Sequence, residues 1–245
     1  MPNGPAFEDA LQIAAATPEL DVGIHLVLVD GPCVASPEKV RRLMDSAGYL
    51  PRSYGAFLLG FLAGRFGLKE IRSEIEAQVK RVCAAGVSPT HLDSHQHLHI
   101  LPGIIDIVLE TARAAGIPFI RLPRERGWIG PRFGQRQALR LLCRNAVSKM
   151  IRARMRFADH FFGFSTSGHL NEKNLTKILL SLGEGVNEIM THPGFRDPAT
   201  EERYPWHYQW DVEGVALQSE RVRRLIDEQG ILLASFRDTW NGTCG

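Results

Sequence analysis

Apolar positions in this chain follow two rhythms, and the change from one to the other marks the elements. Phe7, Ala10, Leu11 and Ala14 recur at helical spacing, which predicts a helix over 5–16 with Pro5 in its first turn. Val22, Ile24, Leu26 and Leu28 then alternate with His25, Val27 and Val29, so a strand over 21–29 is largely apolar on both faces. That is the signature of a strand covered from two sides in a parallel sheet. Helices follow over 37–47, 54–63 and 68–85, the last closed by Gly86 where a left-handed cap is favoured. A strand over 90–95, a helix over 103–115 closed by Gly116, and a short strand over 118–122 come next. Helices over 135–156 and 171–182 precede strands at 188–191 and 231–236, which bracket a final helix over 212–229.

Strands alternating with helices, with no hairpin-type Asn-Gly or Asp-Gly turn between successive strands, predict parallel crossovers. The expected fold is therefore α/β, an irregular TIM-like (β/α) barrel of parallel strands, with a doubly wound sheet as the second candidate. The two commonest phosphate-cradle motifs, GxGxxG and GxxxxGK[ST], are absent. No repeat or linker divides the sequence, which predicts a single domain over 1–245.

A composition of 44% hydrophobic and 23% charged residues excludes a disordered, collagen-like or coiled-coil chain. The net charge of +2 gives no reason to expect a nucleic-acid partner. Locally the balance shifts: residues 121–156 carry eleven Lys or Arg and one acid, Glu125, around an apolar helical face of Leu139, Leu142, Ala146, Met150 and Ile151. Such a helix either rests on an anionic membrane surface or packs by its apolar face against the protein. The apolar stretch 56–64 lies between Arg52 and Arg65 and is far shorter than the roughly 20 residues of a membrane span. Cys33, Cys83, Cys143 and Cys244 form no CxxC pair, and the opening residues lack the features of a secretory signal. The expected address is cytoplasmic, with association to a membrane surface left open.

The chemistry concentrates in His91-Leu92-Asp93-Ser94-His95-Gln96-His97-Leu98-His99, where four imidazoles fall within nine residues at the end of a buried strand. If this segment stays extended, Asp93, His95 and His97 share a face, a geometry suited to a divalent ion. The competing reading is a surface or hydrogen-bonded core cluster. His25 lies in the apolar strand near the amino end, and His192 follows another strand in Thr191-His192-Pro193-Gly194-Phe195. In a parallel barrel the carboxyl ends of the strands meet at one face, so His25, His95 and His192 are expected to converge there. Further on, Arg203-Tyr204-Pro205-Trp206-His207-Tyr208-Gln209-Trp210 is dense in aromatics. Rings with polar edges either stack on a sugar, with Arg203, Tyr204 and Trp206 as candidate substrate contacts, or pack onto the rim of the fold.

Val22-Gly23-Ile24-His25-Leu26, the HxDSHxHxH run at 91–99 and His192-Pro193-Gly194-Phe195, in this order, resemble the YdjC-like carbohydrate deacetylase family, which includes chitooligosaccharide deacetylases. Asn3-Gly4-Pro5-Ala6-Phe7 and the arginine-rich middle are most similar to its hopanoid-biosynthesis branch. The resemblance implies an irregular barrel that removes an acetyl group from an N-acetylated amino sugar, in a saccharide or a hopanoid glycolipid, using Mg²⁺ or Zn²⁺. It implies that His25 and His95 bind the metal, that Asp93 and His97 support them, and that His192 is the general acid. Oligomer formation stays open.

The family's opening Asn-Ala-Asp-Asp-Phe-Gly motif, which supplies a metal ligand and a base, has no counterpart here. By the resemblance, Met1 aligns near the end of the second strand, so the barrel is expected to lack its first strand-helix unit. The alternative function is accordingly a sugar- or lipid-binding homologue without those aspartates.

Overall fold

The computed structural model describes residues 1–125, 132–204 and 206–240, apart from the side chains of Ala199, Arg203 and Trp240. The described residues divide into two compact units, one drawn from 1–121, 144–157 and 235–240, the other from 122–125, 132–143, 158–204 and 206–234.

The first unit holds α1 (Phe7–Ala16), β1 (Ile24–Leu26), α2 (Pro37–Val40), α3 (Tyr54–Leu62), α4 (Leu68–Ala84), β2 (His91–Ser94), α5 (Ile104–Ala114) and β3 (Phe119–Ile120). The long α6 (Phe133–Arg152) supplies residues to both units. The second holds β4 (His160–Phe162), α7 (Glu172–Leu179), β5 (Asn187–Ile189), α8 (Pro198–Arg203), α9 (Trp210–Leu217) and α10 (Glu220–Glu228), and α11 (Phe236–Trp240) returns to the first. All strand pairs in these elements are parallel, in the order β1-β2-β3 in the first unit and β4-β5 in the second. The α/β class and the parallel crossovers are as expected. The strands are short, two to four residues each.

The first sheet is short because side chains replace strand pairing at its end. Beyond Leu26, Val27 N–H donates to Gln78 Oε1 at 2.9 Å and Gln78 Nε2 donates to Val27 O at 2.6 Å, so an amide from α4 closes the ladder. Gln78 also donates to the fully buried Glu74, whose carboxylate accepts the Val34 and Ala35 N–H groups. Buried polar groups are tolerated here because each has a partner. Ile71, Ile75 and Val79 of α4, Ile104, Ile105 and Val108 of α5, and Ile24, Leu26 and Leu92 of the sheet are all buried, with α4 packing on β1 and on α5. Gly86 and Gly116 close α4 and α5 with φ of +84° and +70°, as their positions predict.

Several elements depart from the sequence expectation. The stretch 231–235 is unpaired and leads into α11, so the strand expected over 231–236 does not form. The helix expected over 212–229 is two helices, because the Ser219 hydroxyl caps α10 by accepting from Val222 N–H. Helix α6 stops at Arg152, two residues before Arg154 turns to φ +56°. Its Leu139, Ala146 and Met150 are buried, so most of the face considered for a lipid surface is packed inside the protein, while Ile151 is exposed. Among the described residues no helix is long and apolar enough to cross a membrane.

In the second unit Leu170, Leu175, Leu179, Ala216 and Val222 form the core, from α7, α9, α10 and the segment leading into them. Gly163 follows β4 at φ +103°, and a Cβ there would lie 2.3 Å from the Met190 carbonyl oxygen. Strain and backbone collision coincide at that position. Gly163→Ala is expected to cost at least about 2 kcal/mol of stability in urea unfolding. A loss below about 0.5 kcal/mol, the range of an ordinary surface change, would contradict the close approach.

Candidate active site

In the first unit the sequence builds a charged knot on adjacent parallel strands. His25 of β1 and Asp93 of β2 are register partners, so their side chains leave the sheet on one face. His25 Nδ1 donates to Asp93 Oδ1 at 2.7 Å, and Arg121, just past β3, donates from Nη1 to Asp93 Oδ2. The carboxylate fixes the ring: with the proton on Nδ1, the Nε2 of neutral His25 carries the lone pair. Burial alone would raise the Asp93 pKa, but the charges of His25 and Arg121 and the His25 hydrogen bond hold it well below the usual carboxylate range. The His95 ring stands edge-on to that of His25, with centroids 5.8 Å apart.

His95 reaches this position by a bend. Strand β2 ends at Ser94, and residues His95–Ile100 form a 3₁₀ turn in which Gln96 and His97 adopt left-handed φ values of 55° and 56°. The expected extended run, with Asp93, His95 and His97 on one face, therefore stops one residue before His95. Two consecutive non-glycine residues in this region carry a local backbone cost, which tertiary contacts must offset. His99 supplies such contacts. Its Nε2 donates to the Arg121 carbonyl at 2.8 Å, which leaves Nδ1 to accept from the Ser94 hydroxyl at 2.7 Å, while Ser94 Oγ accepts the His99 N–H at 2.9 Å. This stitch ties the bend to β2 and to the end of β3. His97 is buried within it, its ring 6.3 Å from that of His99. His91, at the other end of β2, packs on Phe236 and over Gly23, where a Cβ would come 2.2 Å from its ring.

Burial lowers the pKa of both His91 and His99 to about 4. Between the unfolded value of about 6.5 and that level, the unfolded chain takes up protons that the folded chain refuses. The stabilisation is therefore complete above about pH 6.5 and is lost as pH falls toward 4, on the order of 3 kcal/mol per imidazole. Denaturant unfolding at pH 7 and pH 4.5 checks this, and equal unfolding free energies would contradict it.

Two imidazoles and an orienting carboxylate suit part of a divalent-ion shell, in which a carboxylate behind a ligating histidine is usual. Among the described residues, no set of three His, Cys, Asp or Glu is arranged to hold an ion. What the described residues could offer such an ion is therefore partial: the two imidazoles of His25 and His95, with Asp93 behind His25.

In the second unit His192 follows β5 by three residues, with its side chain about one-third exposed. The sequence reading passed over the group that holds it. Glu213 of α9 is completely buried; its Oε2 accepts the His192 N–H at 2.5 Å and its Oε1 accepts the Leu170 N–H at 3.1 Å. The same Oε2 lies 3.9 Å from His192 Nδ1. An acid inside an otherwise helical pattern was the only available signal. Tyr208 stands edge-on to His192 at 5.2 Å and continues a row of rings in which Tyr204, Trp206, Tyr208 and Trp210 follow at 4.7, 5.3 and 6.0 Å. Of the expected sugar contacts, Tyr204 lines a cleft, Trp206 packs between Tyr204 and Tyr208, and the Arg203 side chain lies outside the described residues.

A family profile described as YdjC-like protein matches residues 1–228. Over 236 residues the chain is 31% identical to a carbohydrate deacetylase of Thermoanaerobacter pseudethanolicus, spanning 96% of this chain and 84% of that one. It is 32% identical over 241 residues to a chitooligosaccharide deacetylase of Klebsiella pneumoniae, with the same two coverages, 96% and 84%. A crystal structure from Enterococcus faecalis V583, named as a cellobiose-phosphate cleavage protein, superposes with a TM-score of 0.76 at 24% identity, covering 98% of this chain and 85% of that one. That last likeness concerns the fold.

Proposed function

The chain belongs to the YdjC-like protein family, and from that premise we propose that it is a carbohydrate N-deacetylase acting on an N-acetylated amino sugar. The observation that carries the reading is the His25–Asp93 pair with His95 against it. It stands on the residues that resemble the family's metal-binding histidines, in a chain whose relatives are named carbohydrate and chitooligosaccharide deacetylases.

The reaction hydrolyses an amide. Water oxygen bonds to the acetyl carbon, the C–N bond breaks, and acetate and a free amine leave. Mg²⁺ or Zn²⁺, when bound, would acidify a water and polarise the acetyl carbonyl. His25 and His95 would hold that ion, and Asp93 would keep the His25 ring in the ligating tautomer. By the resemblance, His192 would be the acid that protonates the departing nitrogen, and Glu213 fixes the backbone that carries it. Tyr204 offers a ring to the sugar. The amino sugar is carried by a saccharide or by a hopanoid glycolipid, the latter because the opening residues and arginine-rich middle resemble that branch.

Acetate release from β-1,4-linked N-acetylglucosamine oligomers and from an N-acetylglucosaminyl lipid tests the reading. Turnover is expected to vanish with a chelator and to return with Mg²⁺ or Zn²⁺. Failure to release acetate from either substrate class in the presence of both metals would overturn it.

A further inference from the structure

The second unit contains a cleft of about 490 Å³ that the deacetylation chemistry does not by itself require. Its size lies within the ~300–1,000 Å³ of small-ligand sites. Tyr204, Tyr208 and Trp210 give it aromatic walls, and Arg196, Glu201 and His207 are among its polar lining. We infer that this cleft is a saccharide subsite that stacks a pyranose ring of an oligosaccharide beside His192. The ligand class rests on the proposed deacetylation; the place rests on four features of the cleft itself.

The first is ring presentation. Tyr204, Tyr208 and Trp210 are each only partly buried, so they keep ring surface at the solvent boundary. A sugar has one face of C–H groups and an edge of hydroxyls, and aromatic side chains with a polar tip suit that combination.

The second is rigidity. Tyr208 Oη lies 2.8 Å from Ser167 Oγ, and its ring fills the space over Gly168, where a Cβ would meet it at 2.1 Å. The adjacent Gln209 N–H donates to the Gly168 carbonyl at 2.8 Å. A ring fixed on two sides loses little freedom when it binds.

The third is charge. Arg196 Nε donates to Glu201 Oε1 at 2.7 Å, and Asp211 lines the same cleft. Among the described lining side chains the guanidinium is paired and a second acid is present, and donors and acceptors of both kinds suit a neutral polyhydroxylated ligand.

The fourth is continuity with the candidate acid. Tyr208 lines the cleft and also meets the His192 ring at 5.2 Å, while the Trp210 carbonyl accepts the Gly194 N–H at 3.2 Å, two residues beyond His192. One wall of the cleft and the His192 turn therefore form a single hydrogen-bonded piece. A sugar residue stacked there lies next to the imidazole, and the expected consequence is a preference for oligosaccharides over the monosaccharide.

Calorimetric titration of the intact chain tests this with N-acetylglucosamine and its β-1,4-linked tetramer. The tetramer is expected to bind at least about tenfold more tightly, and Tyr204→Ala and Trp210→Ala are each expected to weaken it by about tenfold, equivalent to roughly 1.4 kcal/mol. Equal affinity for the two sugars, or a tetramer affinity that ignores both substitutions in folded variants, overturns the subsite. Saturation-transfer NMR on the unsubstituted chain gives an answer that no folding defect can blur. Magnetisation from aromatic protons should reach one C–H face of the sugar, and equal transfer to all sugar protons counts against stacking. Acetate release by a chain whose tetramer affinity ignores the substitutions removes the subsite and keeps the deacetylase. Substitution-sensitive binding without acetate release does the reverse.

Discussion

Asp93→Ala is expected to lower the unfolding free energy by about 3–5 kcal/mol, the usual cost of removing one partner from a buried ion pair. The argument lies in the surroundings. Asp93 is 6% exposed and meets both His25 and Arg121, and the Arg121 side chain is itself only 15% exposed. Deleting the carboxylate leaves a guanidinium in a poorly solvated place and frees the His25 ring to turn. Affinity for Zn²⁺ should fall about 10–100-fold as well, as for other carboxylates behind metal-binding histidines.

Acid separates the charge from the packing. The folded Asp93 pKa lies below its unfolded value of about 3.9, so its stabilisation is present above that pH and is lost as pH falls further. Asp93→Asn should therefore flatten the part of the acid limb below about pH 4. Urea unfolding at pH 7 and pH 3, with Zn²⁺ titration at pH 7, measures all three effects. A stability loss under 1 kcal/mol for Asp93→Ala would mean that the pair contributes no more than an exposed one.

His192→Ala is expected to reduce acetate release by about 10²–10⁴-fold, the usual contribution of a positioned general acid. Its thermal midpoint should stay close to that of the parent, since the backbone N–H held by Glu213 survives the substitution. Glu213→Gln gives the complementary test. The amide oxygen can still accept one backbone N–H, but the negative charge 3.9 Å from Nδ1 is gone. Acetate release by Glu213→Gln is therefore expected to fall below that of the parent, though less than in His192→Ala. Retention of more than a tenth of the parent rate by His192→Ala would remove the histidine from the acid role. Undiminished acetate release by Glu213→Gln would reduce the glutamate to a backbone clamp.

The elements read correctly from sequence are those whose local pattern needs no outside partner. Helices α4 and α5 combine a helical apolar stripe with a glycine that turns left-handed just beyond the end, and both appear where those signals stand. The strand around His25 was found because both its faces are apolar, and both it and the strand around Asp93 are shorter than expected. Strand ends are set by pairing, and Gln78 from α4 takes over the pairing of Val27. The strand expected over 231–236 does not form because its N–H groups turn elsewhere, Ile231 back to the Ile226 carbonyl of α10 and Ser235 to the Asp238 carboxylate. Strand β4 escaped notice because His160-Phe161-Phe162 is too short to carry an alternation.

At the candidate site, sequence alone determined which residue types were present and that His25 and Asp93 lay on strands of a parallel sheet, not that those strands were neighbours. Their register and the bend after Ser94 were decided only by tertiary contacts. The left-handed turn at Gln96 and His97 opposes local backbone preference and persists because Ser94, His99 and the Arg121 carbonyl, twenty-two residues beyond His99, close a hydrogen-bonded ring around it. Glu213 was invisible on the same grounds. Its importance comes from being sealed from water against the His192 N–H, and burial of a charge is a property of the assembled fold rather than of any local stretch of chain.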